Sequence, residues 1–325
     1  MTRALQVTRA EDGTVSVVLR DDLTDAELGD GDVTIDVEWS GINYKDGLAL
    51  AGSPGVMRTS PLIPGIDLVG TVAESTSARW AIGQTVILTG WGIGETRNGG
   101  LADRAVVDGE WLIARPDAIS ARRAAAIGTA GFTAALSVLA LGEVDGDILV
   151  TGASGGVGSI AIALLAAAGH TVVASTGRAE QHGDYLLRLG ASEILDRAEL
   201  ESPGRPLQKQ RWAAVIDSVG GVTLANAIAQ TTHGGIVTAC GLVGGTDIPT
   251  TVMPFILRGV TLAGINSVES LRPQREAAWE LLARDLDLDL LDSLTTSVEL
   301  GGAIEAGAAI LRGELRGRTV VNVRE

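Results

Sequence analysis

The 325-residue chain has a single cysteine, Cys240. One thiol cannot close an intrachain disulfide, so nothing in it points to an oxidising compartment. Histidine is nearly as scarce. His170 sits in an AAAGHT turn, His182 opens a helix and His233 precedes Gly234-Gly235. Zinc takes three or four Cys, His or carboxylate ligands, and none of these residues stands at ligand spacing. A catalytic or structural zinc is therefore not expected, and a reduction would proceed without a metal Lewis acid. Basic residues are outnumbered, 25 Lys and Arg against 40 Asp and Glu, for a net charge of −15. Such a chain repels nucleic acid and anionic membranes, and a polyanionic ligand must meet a local cluster of Arg or backbone donors. The longest apolar run, 160–169, is about half of what a membrane span needs. The opening MTRALQVTRAEDG has no signal-peptide stretch. The expectation is a soluble cytoplasmic protein.

What is present supports a large core. The chain is 46% hydrophobic and 20% charged, and its length suits two domains. Residues 1–120 read as β-rich, with short period-two runs at 15–19, 33–39, 68–72 and 85–89, punctuated by Gly, Pro, Asp and Asn. This predicts a barrel-like domain with irregular loops. From 121 the texture becomes helical, and then strands and helices alternate. The strand segments are 147–151, 171–175, 193–195, 213–217, 235–240 and 260–264. The helix segments are 156–168, 184–189, 221–230 and 252–258. Alternation of this kind predicts a parallel, doubly wound sheet over 121–267. The remainder, 268–325, holds a helix over 273–284 and a β-like end at 318–323, and is expected to return to the first domain.

Thr151-Gly152-Ala153-Ser154-Gly155-Gly156-Val157-Gly158 is the most informative string. It lies between the apolar run Ile148-Leu149-Val150 and an alanine-rich helix, and a second apolar run follows at 171–175. Glycine-rich turns also serve as plain connectors. Between strand and helix, however, such a turn brings backbone N–H groups to a pyrophosphate at a positive helix end. A site for NAD would place Asp or Glu at the end of the second strand to bond the ribose 2′-hydroxyl. Here that place holds Ser175-Thr176-Gly177-Arg178. Small hydroxyls and an Arg suit a 2′-phosphate, so NADPH is the expected cofactor. Arg197, after the third strand, could stack on adenine.

Several further strings carry a resemblance. They are GINYKD (41–46), PLIPGID (61–67), TGWGIGE (89–95), GTAGFTA (128–134) and TTVMPFILR (250–258). With the domain order they resemble the medium-chain dehydrogenase/reductase superfamily, its zinc-free quinone-oxidoreductase branch, and within that the acrylyl-CoA reductase (AcuI/YhdH) family. Where zinc-dependent relatives carry Gly-His-Glu and Cys, this chain has Asp67 and Asn43-Tyr44. The resemblance implies a GroES-like catalytic domain joined to a Rossmann domain. It also implies NADPH-dependent reduction of acrylyl-CoA to propionyl-CoA, with hydride going to the β-carbon and a proton to the α-carbon.

By the same resemblance Asn43 and Asp67 sit at the active site, to orient substrate, nicotinamide amide or a water. Loop-turn chemistry is the plainer reading of both. Tyr44 would contact the cofactor and is a possible proton donor. Lys45 and Asp46 read as a helix-start salt pair. The cofactor contacts implied are Ser154, Gly155, Gly156, Val157, Ser175, Thr176, Gly177, Arg178 and Arg197, with Leu242, Ile256 and Ser267 on the far side. Arg312 stands where the family has an Asn that touches cofactor, and that contact is open. Arg58, Arg97, Arg272 and Arg275 are possible holders of the coenzyme A tail. The alternatives are a zinc-free NADPH:quinone oxidoreductase and a non-catalytic NADPH-binding protein. A homodimer is the expected assembly, through the edge strand of the nucleotide sheet.

Overall fold

The structure is a computed structural model that describes all residues, Met1–Glu325. It divides into two compact units. The first comprises Met1–Thr129, Ser267–Glu276 and Leu291–Glu325, and the second Ala130–Asn266 and Ala277–Leu290. The division differs from the expected boundaries at 120/121 and in 268–325. The change of texture at 121 marks the start of a helix, Ala121–Leu141, and not the end of a unit. Residues 277–290 group with the nucleotide unit and not with the first.

The first unit is built on a seven-stranded sheet. Its N-terminal strands are β1 (Thr2–Arg9), β2 (Val15–Leu23), β3 (Val33–Ile42), β4 (Asp67–Ser75), β5 (Thr85–Thr89), β6 (Arg104–Val107) and β7 (Ile113–Ala114). β1 and β2 form a separate hairpin. The main sheet runs Thr295–Glu299, Arg318–Asn322, β3, β4, β5, β7, with β6 also paired to β3. The period-two runs explain the core. Val33, Ile35 and Val37 of β3 face inward, as do Leu68 and Val72 of β4 and Val86 and Leu88 of β5, around Met57, Leu62 and Leu101. The return of Arg318–Asn322 to β3 is antiparallel and pairs Thr319 with Ile42. Antiparallel pairing also sets Asp67 opposite Thr89. The end of β3, the start of β4, the end of β5 and the start of the last strand therefore meet at one end of the sheet.

The second unit has six strands, β8 (Ile148–Val150), β9 (Val172–Thr176), β10 (Glu193–Asp196), β11 (Trp212–Asp217), β12 (Thr231–Ala239) and β13 (Thr261–Gly264). All pairs are parallel, in the order β10-β9-β8-β11-β12-β13. From β8 the chain winds one way to β10, then resumes on the other side with β11. That makes the C-terminal end of β8 a topological switch point, where doubly wound sheets bind ligands. The central strands β8 and β11 are nearly continuous buried runs, as in sheets covered on both faces. Helices span Gly156–Ala167, Ala179–Arg188, Gly221–Gln230 and Met253–Arg258. The helix expected at 184–189 begins earlier, at Ala179, because its first turn is polar and exposed and shows no apolar period. The helix Ala121–Leu141 is long and apolar enough to cross a membrane by length and composition. Most of it is buried in the molecule, and it breaks at Gly128.

Candidate functional site

In the first unit the expected residues converge on a buried cluster. Asn43 follows β3 in extended backbone and precedes the helix Tyr44–Leu50. Its side-chain Nδ2 donates to Asp67 Oδ2 at 2.8 Å and to Asp46 Oδ2 at 3.1 Å. Its Oδ1 accepts from Arg318 Nη1 at 3.0 Å. Two carboxylates on one side and a guanidinium on the other leave only one orientation of the amide. Both of its N–H donors are spent inside the protein. Asp67 is 1% exposed. Its Oδ1 accepts from the Thr129 backbone at 2.9 Å and the Thr129 hydroxyl at 2.5 Å, and Oδ2 faces Arg318 Nη2 at 3.6 Å. Its own carbonyl accepts from Ser40 Oγ at 2.7 Å. Asn43 and Asp67, expected from the sequence to touch substrate or a water, each have polar atoms engaged within the fold. Of the three, Tyr44 is the residue turned outward, 41% exposed.

Asp46 also departs from expectation. It makes no pair with Lys45. Its carboxylate takes the backbone N–H groups of Asn43 and Ile66, both at 2.8 Å, so it closes the first turn of the helix and anchors the Pro64-Gly65-Ile66 loop. Full burial and the nearby Asp67 carboxylate push its pKa up to about 7. Lys45 instead reaches Glu95 Oε1 at 2.8 Å, tying the helix to the TGWGIGE loop. Gly128 meets this cluster where only glycine fits. Its φ is +45°, and a Cβ there would lie 2.4 Å from Asp67 Oδ2.

The TGWGIGE loop leaves β5 through Gly90, Trp91 and Gly92, all with positive φ, and Trp91 at +56° is the non-glycine exception. The conformation is held by Trp91 N–H to the Val268 carbonyl, by stacking on Trp111 at 6.3 Å and by Arg275 over the indole at 5.1 Å. Arg275 is buried and gives all its donors to Thr89, Ser267, Val268 and Ser270. Burial beside Arg272 lowers its pKa to about 10. It is a structural bolt and unavailable to a coenzyme A tail. Arg272 is similarly engaged by the Leu112 and Glu110 carbonyls, whereas Arg58 and Arg97 are exposed. Arg312 is held by Glu305 and Glu314, each at 2.8 Å, so its guanidinium is committed within the first unit.

In the second unit the glycine turn follows β8. Gly152, at φ +60°, makes the bend, and Gly155 caps the helix Gly156–Ala167. Gly158 lies against Ala153, where a Cβ would come within 2.7 Å of its Cα. Ser154, Gly155, Gly156 and Val157 therefore stand at an open helix N-terminus. Asp217, which sequence reasoning passed over, holds this turn from β11. Its buried carboxylate accepts from Thr151 Oγ1 at 2.6 Å and from Gly220 N–H at 2.7 Å. Burial raises its pKa. The signal was the string Asp217-Ser218-Val219-Gly220-Gly221, a second glycine turn at a strand end.

The expected hydroxyls lie within the end of β9. Ser175 and Thr176 are buried, and Thr176 Oγ1 accepts from Arg178 N–H at 3.2 Å. Gly177 and Arg178 are the open part of the segment, and the Arg178 guanidinium has no partner in the chain. Arg197 lies over Gly177, where a Cβ would sit 2.3 Å from its Nε, and pairs with Glu201 at 2.8 Å. Leu242 lines a pocket of about 420 Å³ with Gly220, Cys240, Gly245, Gly264 and Asn266, at the C-terminal ends of β12 and β13. Ile256 is 71% exposed on the helix Met253–Arg258 and lies outside that pocket. Ser267 belongs to the first unit, where its carbonyl accepts from Arg275. No three His, Cys, Asp or Glu side chains are grouped to hold a metal ion.

Residues 29–117 match the alcohol dehydrogenase GroES-like domain, and residues 156–284 match the zinc-binding dehydrogenase model. A relative from Escherichia coli K12, "Probable acrylyl-CoA reductase AcuI", is 50% identical over 93% of this chain and 94% of its own. Acrylyl-CoA reductase AcuI of Ruegeria pomeroyi is 45% identical over 99% of both chains. The crystal structure of the Salmonella enterica YhdH oxidoreductase in complex with NADP superposes with a TM-score of 0.95 at 48% identity, covering 99% of this chain and all of the other.

Proposed function

The chain belongs to the acrylyl-CoA reductase (AcuI/YhdH) family of the medium-chain dehydrogenase/reductase superfamily, and from that premise we propose that it reduces acrylyl-CoA to propionyl-CoA with NADPH. The observation that carries the cofactor is Arg178. An unpartnered guanidinium stands after the second strand of the nucleotide sheet, where an NAD site would place an acid. The glycine turn supplies backbone donors for the pyrophosphate at a helix N-terminus whose first turn holds no acidic residue. Arg178 binds the 2′-phosphate, and Arg197 over Gly177 presents a flat cation to the adenine.

When bound, the nicotinamide supplies a hydride to the β-carbon of the enoyl thioester. The chain's own task is to hold substrate and return a proton to the α-carbon. Tyr44 is the exposed hydroxyl for that proton, with a water as the other source. Asn43 and Asp67 act one step back, by fixing the start of the helix that carries Tyr44. With the proton included, acrylyl-CoA, NADPH and H⁺ give propionyl-CoA and NADP⁺. The reading places the protein in the cytoplasm as a homodimer. The one-sided edge strand Thr261–Gly264 and the exposed Leu242, Ile256 and Leu257 support the dimer.

The test is NADPH oxidation with acrylyl-CoA, crotonyl-CoA and a benzoquinone in parallel. Turnover with acrylyl-CoA, and a mass shift of the acyl product matching propionyl-CoA, are expected. Turnover with the quinone alone would overturn the reading in favour of a quinone oxidoreductase. NADPH binding without turnover of any acceptor would make it a non-catalytic binder. Light scattering that returns a monomer mass would remove the dimer.

A further inference from the structure

We propose that Arg318 is a positioning residue for Tyr44, acting through the Asn43 amide. Arg318 opens the last strand and is 2% exposed. Its Nε donates to the Ala126 carbonyl at 2.6 Å, and Nη1 to Asn43 Oδ1 at 3.0 Å, with the Ile42 carbonyl at 3.4 Å. Its Nη2 has no hydrogen-bond partner and faces Asp67 at 3.6 Å. Two glycines keep the slot open. A Cβ at Gly41 would lie 3.2 Å from Nη2, and one at Gly128 2.9 Å.

A guanidinium buried this deeply is costly, and its burial lowers the pKa. An apolar side chain would fill the same slot more cheaply. What the charge adds is direction. With Oδ1 drawn to Arg318, the Asn43 NH₂ must face Asp46 and Asp67. A flipped amide would set NH₂ against guanidinium and oxygen against two carboxylates. Asn43 is the residue before the helix Tyr44–Leu50, so the amide that Arg318 orients sets the entry of the chain into that helix. Tyr44, the first residue of the helix, is thereby shown to solvent in one orientation. This role rests on the reading that Tyr44 serves the reaction, but its test does not.

The chain has two tyrosines, Tyr44 and Tyr185. Tyr185 is buried in the other unit and donates to Ser159 Oγ at 2.8 Å, which makes it an internal control. In full-length protein labelled with 3-fluorotyrosine, two ¹⁹F resonances are expected, assigned by Tyr44→Phe. The variants are Arg318→Lys, Arg318→Met and the double variant Arg318→Met/Asp67→Asn. The double variant removes both charges and keeps the test alive if the single Met variant does not fold. In each variant that retains cooperative unfolding, the Tyr44 resonance should shift or broaden while Tyr185 stays in place. In turnover with acrylyl-CoA, kcat should fall by about tenfold or more, with the KM for NADPH changed less than about twofold. An unmoved Tyr44 resonance in a folded variant overturns the proposal and leaves Arg318 a purely structural charge. A moved resonance in a protein whose wild type does not turn over acrylyl-CoA upholds it and removes the substrate reading instead.

Discussion

Asn43 Nδ2 donates to Asp67 Oδ2 at 2.8 Å, joining the end of β3 to the start of β4 inside the protein. The bond joins two residues that the sequence expectation placed at the active site. It also makes their energetics inseparable from those of Arg318, which touches both.

Asp67→Ala leaves a buried guanidinium without its counter-charge, and removes the acceptor of Thr129 and Asn43. Breaking a buried pair in this way costs about 3–5 kcal/mol. The urea midpoint should fall accordingly and turnover should drop, while NADPH affinity in the folded fraction changes little. A midpoint equal to wild type would show that the pair contributes nothing.

Arg178→Ala removes the unpartnered guanidinium that directly follows β9. A charge-assisted contact of this kind is worth about 1.5–3 kcal/mol, on the order of ten- to a hundredfold in affinity. NADPH binding should weaken by that factor and NADH binding hardly at all. Equal losses for the two cofactors would remove the 2′-phosphate role.

Asp46 links stability to pH. Its folded pKa is about 7, above the ordinary carboxylate value of 3.8. Between those values the folded chain keeps a proton that the unfolded chain has lost, so this group's contribution declines as pH rises through about 7. Urea midpoints measured from about pH 5 to about pH 8 should fall more for wild type than for Asp46→Asn. Parallel curves would place the titration elsewhere.

The Lys45–Glu95 pair is lopsided, with the Lys side chain 39% exposed and the Glu side chain 10%. Lys45→Met strands a nearly buried carboxylate, whereas Glu95→Gln leaves an ammonium that can turn to water. The first should be the more destabilising in chemical denaturation, and a double-mutant cycle should return a coupling of about 1 kcal/mol or less. The opposite ranking would mean that Glu95 is solvated in solution.

Burial pushes the Cys240 thiol up to about 12, with Asp217 adding to the effect. Little thiolate then exists at neutral pH. An aromatic disulfide reagent should label the native protein very slowly and the urea-unfolded protein at once. Rapid native labelling would show that the thiol ionises far more readily than its surroundings imply.

Much of the architecture was legible from local pattern. Period-two runs marked β3, β4 and β5, and apolar runs alternating with helices marked the parallel sheet, because side-chain periodicity reports directly which face is buried. Thr151–Gly158 was equally clear, since only a strand-to-helix bend needs that many small residues in one place. The burial of Ser175 and Thr176 at the end of β9 is not legible in the sequence, because it depends on what packs across the faces of the sheet. The exposure of Ile256 is hidden for a related reason, as exposure is a property of neighbours and not of a motif.

The sequence by itself determined the two fold types, the glycine grip and the absence of zinc-ligand spacing, all written in residues close to one another. Only the tertiary structure decided what Asn43 and Asp67 do. Their orientation depends on Arg318, 275 positions from Asn43, brought alongside by the antiparallel pairing of the last strand with β3. Charge and hydrogen bonding act over a few ångströms of space, whatever the distance along the chain. The bonds between those two residues and Arg318, beside the exposed Tyr44, form only because the ends of β3, β4 and the last strand meet.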